Sequence, residues 1–277
     1  MKSFRFIFFT FIIIFTMLIT AIFSYFVAEP RVYDFFIKNV TANKFSFDKN
    51  KNVYGHDDIV LVIIDDKSIE KHRWPWKRSL TGNIINYLNE YSKPKAIVHD
   101  AIFANLDEDN SQSDKEYFKT LKKSKNLIEG ILLYAIKYED EEAGKAYDKK
   151  FIDKYGVKNV KVNTYMPYLY SSILKSPEEF IDSVNHIGSV TVLPGFFDGY
   201  WSLLYIPDET YRMYEYLINY KDNILSSIAL ETFLTINNNP KMEINKKYIE
   251  FPELNKKIKY IKTPFQITVP IKYYKMY

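Results

Sequence analysis

The sequence predicts an α/β fold: an N-terminal transmembrane helix, then an α/β domain with a mainly parallel central sheet and a less regular α+β second half. Three observations carry this reading. Residues 6–28 contain no charged side chain, and about 20 apolar residues suffice to cross a bilayer as a helix. Two short apolar runs, residues 59–64 and 96–99, flank a segment with helical periodicity, which is the order of a βαβ unit. After residue 137 the alternation of apolar runs and helices gives way to charged and aromatic sequence.

The anchor comes first. Lys2 and Arg5 precede the apolar run, and Glu29, Pro30 and Arg31 end it. Positive charge before the span places the N-terminus inside the cell and the remainder outside. Residues 1–30 therefore read as the anchor with a short cytoplasmic N-terminus, and residues 31–277 as an extracytoplasmic domain. A cleaved signal peptide is the competing reading. Its apolar core is normally 7–15 residues, followed by small side chains; here the run is longer, and Phe26 stands where a small residue is wanted.

Residues 32–44 read as a short helix and residues 55–58, Gly-His-Asp-Asp, as a turn. The run 59–64 is continuous and mostly β-branched, the pattern of a strand buried on both faces of a parallel sheet. It ends in Asp65 and Asp66. Residues 80–91 form a helix, with Leu80, Ile84, Ile85 and Leu88 on one stripe and Ser79 as N-cap. The second strand, 96–99, ends at Asp100 and should lie parallel to the first. An acidic loop, 107–114, leads to a helix over 114–123 that buries Tyr117, Phe118 and Leu121; a third apolar strand follows at 127–134.

Residues 137–161 read as an insertion with a solvated helix. Ser176, Pro177 and Glu179 predict a helix start, with serine as N-cap, proline at the first position and a capping box. Strands are expected at 187–193 and 200–206, an amphipathic helix at 224–235, a hairpin at 242–251 and a last strand at 267–271.

Several chemistries are excluded. The chain has no cysteine, hence no thiolate catalysis, cysteine zinc site or iron–sulfur cluster. With 8 glycines in 277 residues it has no glycine-rich phosphate loop and no nucleophile elbow. The net charge of +4 owes much to C-terminal lysines that read as solvated surface, and no nucleic-acid motif accompanies them. The 24 tyrosines and 21 phenylalanines reflect the usage of an AT-rich bacterial genome. His99, inside a strand, reads as a hydrogen-bonded core histidine. No cofactor, metal site or catalytic residue is expected.

The candidate ligand-binding residues are Asp65, Asp66, Asp100, Trp74, Trp76 and Arg78. The aspartates end neighbouring strands at the edge where open α/β sheets bind ligands. They could hold a cation or cationic ligand, or cap the following helices. Trp74, Pro75, Trp76 and Arg78 form a rigid aromatic turn with a cation able to stack on an indole, either a plug or a ligand wall. A haloacid dehalogenase site would need Asp-x-Asp, and here Asp65 and Asp66 are adjacent.

On these residues the chain resembles the CHASE domain of type 2, an extracellular sensory domain of bacterial receptors. The resemblance is carried by residues 58–68, with Asp65-Asp66-Lys67-Ser68 closing the apolar run, by Arg73-Trp74-Pro75-Trp76-Lys77-Arg78, and by residues 94–103 with Asp100 and Phe103. Asp198-Gly199 and the run 226–231 resemble its later segments. The resemblance covers the chain from about Tyr33 onward, apart from the insertion. It implies a sensor whose C-terminal strand, membrane helices and cyclase or kinase output lie beyond Tyr277, so that the chain is truncated and contains no output enzyme. Expected partners are the membrane, an extracellular ligand of unassigned chemistry and a second copy of the chain as a homodimer. The alternatives are a stand-alone anchored ligand-binding protein and a metal-dependent surface hydrolase.

Overall fold

The computed structural model describes residues 2–23, 58–72, 75–134, 141–166, 170–191, 213–262 and 267–270. The expected helix at 32–44, the turn before residue 58, Trp74 and the expected strand at 200–206 lie outside these residues. The chain divides into two units, one holding residues 1–62, 194–212 and 271–277, the other residues 63–193 and 213–270.

In the first unit, α1 (Lys2–Phe23) is a continuous helix. Its described apolar side chains are exposed, among them Phe11 and Phe15, which stack at 6.0 Å. Among the described residues, no helix is long and apolar enough to cross a membrane. The predicted span 6–28 runs on past the last described residue of α1.

The second unit is built in chain order from α2 (Asp66–His72), α3 (Arg78–Tyr87) with a π-helical turn at Leu88–Ser92, β1 (Ile97–His99), α4 (Ser111–Lys123), β2 (Leu127–Ile131) and β3 (Leu133–Tyr134). There follow α5 (Glu141–Tyr155), β4 (Val160–Val162), β5 (Ser172–Ile173), α6 (Glu178–Ser183) and β6 (His186–Ser189). The last part is β7 (Met213–Tyr220), β8 (Asn223–Ser226), α7 (Ile228–Ile236), β9 (Met242–Ile244), β10 (Tyr248–Phe251), a 3-10 turn at Pro252–Leu254, β11 (Lys256–Lys259), β12 (Ile261–Lys262) and β13 (Ile267–Pro270).

The described strands form four small sheets. One is parallel throughout, in the order β1-β2-β6, with His99 opposite Glu129 and Gly130 opposite Gly188. The sheets β11-β10-β9-β4 and β12-β13-β7-β8 are largely or wholly antiparallel, and β3 pairs antiparallel with β5. The α/β character holds, but the parallel sheet is smaller than expected.

The run 59–64 corrects the sequence reading most. It forms no strand, and its side chains are 41–84% exposed. The periodicity reports a segment that favours burial, not the presence of a partner strand. Its expected neighbour β1 has three residues and pairs with β2.

Other departures are local. The helix N-cap at α3 is Lys77 without a side-chain bond; Ser79 lies inside the helix, where its N–H donates to Ser113 Oγ at 2.8 Å. The α6 cap is Pro177 rather than Ser176. The strand expected over 127–134 splits at Leu132 into β2 and β3, which join different sheets. The helix expected over 224–235 begins as β8, and Ser227 caps α7 by accepting from the Leu230 N–H at 3.2 Å. The helix expected within the insertion 137–161 forms as α5, but it packs into the core rather than standing in solvent: Tyr147, Phe151 and Tyr155 recur every fourth residue on it, and Phe151 and Tyr155 are buried. Each such ring removes ~150–250 Å² from water, which the charged residues between them concealed.

Two hydrophobic clusters result. One joins Tyr117, Leu121, Leu127, Phe151, Phe180 and Ile187 around the parallel sheet. The other joins Leu230, Leu234, Met242, Ile249 and Phe251 beneath α7. α3 lies along α4, tied by Asn86 Nδ2 to Thr120 Oγ1 at 3.0 Å and Asn89 Nδ2 to Ser124 Oγ at 3.1 Å.

Candidate functional site

The C-terminal end of the parallel sheet is where the sequence places a ligand site. β1 delivers His99 there, and β2 sets Glu129 beside it because the two are register partners. Glu129 is wholly buried. Its carboxylate lies 3.0 Å from His99 Nδ1 through Oε2, and Oε1 accepts from Tyr117 OH at 2.7 Å. A buried carboxylate is tolerated only when paired and hydrogen-bonded, and His99 and Tyr117 supply both. Burial pushes the His99 pKa down, but the Glu129 charge and hydrogen bond outweigh it, and the net value lies above that of an ordinary histidine. Burial, then the Glu129 charge, pushes the Tyr117 phenol well above its usual range.

This cluster continues outward. Phe103 stacks on Tyr117 at 5.0 Å and on Phe180 at 4.9 Å. The Arg78 guanidinium sits 4.9 Å above the Phe103 ring. Its Nη1 contacts Asp114 Oδ1 at 2.6 Å, and its Nη2 donates to the Asn105 carbonyl. Asp114 Oδ2 accepts the Asp107 N–H at 2.7 Å. Arg78 thus fastens the acidic loop to α4, and a pairing this close is the strong, charge-assisted kind.

The other expected residues fare differently. Asp65 precedes α2 and caps it: Oδ1 accepts the Ser68 N–H at 2.9 Å and the Ser68 hydroxyl at 2.6 Å. Those bonds hold its pKa below the usual carboxylate value. Asp66 is the exposed first residue of α2, and Asp100 is exposed after β1. The strand pairing expected to bring these three aspartates together is not formed. Among the described residues, no group of three or more His, Asp or Glu side chains is placed to hold a metal ion. Trp76 is half-buried and meets His72 edge-on at 5.9 Å.

Glu129 escaped the sequence reading. The available signal was a lone acid in an apolar strand, one strand over from a lone histidine. The same holds for His186 at the start of β6, whose Nδ1 lies 3.0 Å from Glu231 Oε1.

A family model described as the CHASE2 domain matches residues 9–275, from within α1 almost to the end of the chain. No curated protein and no solved structure matches it.

Proposed function

Because the chain belongs to the CHASE2 domain family, a family of extracellular, non-catalytic sensory domains of signalling receptors, we propose that it is the extracytoplasmic input region of a bacterial transmembrane receptor. The family match over residues 9–275 carries this reading. Residues 6–28 anchor the chain, with the N-terminus in the cytoplasm and the bulk outside. The charge-free run, Lys2 and Arg5 before it, and the exposed apolar side chains of α1 support the anchor, since such a surface calls for lipid or a partner to cover it.

The chain supplies no output reaction. A cue acts by binding one packing of the domain more tightly than another, which shifts their populations. Reading the gene past Tyr277 tests the proposal. A frame continuing into further membrane helices and a cyclase or kinase supports it. A frame that closes there, with no signalling partner encoded alongside, favours a stand-alone anchored binding protein.

A further inference from the structure

At the opposite end of the parallel sheet, where β6 begins, lies a pocket of about 220 Å³. The end of α5, the loop after it and α7 all contribute to its lining, which includes Lys154, Lys158, Asn159, Asn185, His186 and Glu231. Both lysines have a main-chain partner. Lys154 donates to the Ile181 carbonyl at 2.6 Å and Lys158 to the Ile152 carbonyl at 3.0 Å. A carbonyl satisfies one N–H of an ammonium, leaving two further donors and the charge.

Among the described residues, neither lysine has a carboxylate within ion-pair distance. Asp182 is paired instead with Lys150 at 3.1 Å. Burial, opposed by Asp182 and reinforced by Lys150, Lys122 and Lys125, puts the Lys154 pKa below its ordinary value. Glu231, the one carboxylate in the lining, is spent within the protein: Oε1 faces His186 Nδ1 at 3.0 Å and Oε2 accepts from Ser226 Oγ at 2.6 Å. His186 Nδ1 also lies 3.3 Å from Thr235 Oγ1. Among the described residues the ring's polar contacts all use Nδ1, and Nε2 makes no hydrogen bond.

We propose that this pocket binds a small oxyanion, a carboxylate or a phosphate. Lys154 and Lys158 supply the charge, and His186 Nε2 and Asn159 orient the ligand. The pocket is smaller than the ~300–1,000 Å³ of sites for drug-sized ligands, which limits the occupant to a few heavy atoms beyond the anionic group. The site stands whether or not the chain is a receptor input, and a failure to bind leaves that reading intact.

Calorimetry on the full chain in detergent, with inorganic phosphate and succinate as separate probes, tests it. Titration of the His186 ring followed by NMR gives a second readout. The expected result is saturable binding of one probe at one site, with a shift of the His186 resonances. Binding should weaken about tenfold or more, roughly the cost of one lost charge contact, in Lys158→Gln and in Lys154→Gln. It should persist in Lys149→Gln, which removes a nearby exposed charge outside the pocket without releasing a carboxylate. Lys158→Gln alone decides the matter if Lys154→Gln fails to fold. Binding of phosphate only, or of succinate only, identifies the anion class. Absence of saturable binding by both probes overturns the proposal. So does an equal loss in Lys149→Gln, which would mark a diffuse positive surface rather than a site.

Discussion

Glu129 and Glu215 are buried carboxylates with different solutions to the same problem. Glu129 is paired with His99, and the raised His99 pKa follows from that charge. The pair's stabilisation is therefore complete below the ordinary histidine pKa of about 6.5 and is lost as pH rises through the higher folded value. In Glu129→Gln the charge is gone while burial remains. The His99 pKa, followed by NMR, should drop from above the ordinary value to below it; an unchanged value would contradict the pairing. Among the described residues Glu215 accepts from Tyr170 OH, and burial pushes its pKa up to about 7 from 4.5. Here the folded state holds the proton more tightly, so its contribution to stability is greatest below about pH 4.5 and falls as pH rises toward about 7. The loss is on the order of 3 kcal/mol. Glu215→Gln should flatten the decline in melting temperature between roughly pH 5 and pH 8; an unchanged decline would assign it elsewhere. Neither acid could be placed from sequence, because each sits in an otherwise apolar or aromatic stretch and its partner comes from a distant element. Asp65 was legible for the opposite reason: its partner, Ser68, is three residues away.

At the scale of elements, Gly188 shows what brings β6 and α7 together. A Cβ built there would lie 2.4 Å from Ile228 Cα and 2.7 Å from its nitrogen. These are backbone atoms that cannot rotate away. Gly188→Ala should cost about 1–3 kcal/mol or more, as overpacking does, read as a lower midpoint in denaturant unfolding; no change would mean that α7 sits elsewhere. The run 59–64 gives a second test. With its side chains exposed, Leu61→Lys with Ile63→Lys should leave the melting temperature nearly unchanged, since exposed substitutions usually cost within about 0.5 kcal/mol. It should also reduce self-association, which an apolar extended segment promotes. A loss of several kcal/mol would show the run buried as a strand. The helices expected over 80–91 and 114–123, which lie at 78–87 with a π-helical turn at 88–92 and at 111–123, and the hairpin over 242–251 were legible because local pattern and packing agree. The helix α5 was expected within the insertion, but its burial was not legible, because three rings spaced by four residues are hard to see among fifteen positions rich in charge.

For the whole molecule, the family was legible in the ordered combination of an apolar run ending in Asp-Asp, an aromatic Trp-Pro-Trp turn and a strand ending in Asp. Of the parallel core β1-β2-β6 only β1 belongs to that segment, and it pairs with β2 rather than with the run 59–64. The way the second half's hairpins join into sheets was not legible, because β13 pairs with β7 and β4 with β9 across separations that periodicity cannot specify. The central claim is that residues after the anchor face the outside of the cell as a sensory domain. The most direct measurement is a fusion after Val53, in bacterial cells, of a reporter phosphatase active only outside the cytoplasm, matched by a fluorescent reporter active only inside. The account predicts phosphatase activity and no fluorescence at that junction. Fluorescence without phosphatase activity would place the domain in the cytoplasm and contradict both the anchor and the extracytoplasmic sensory role.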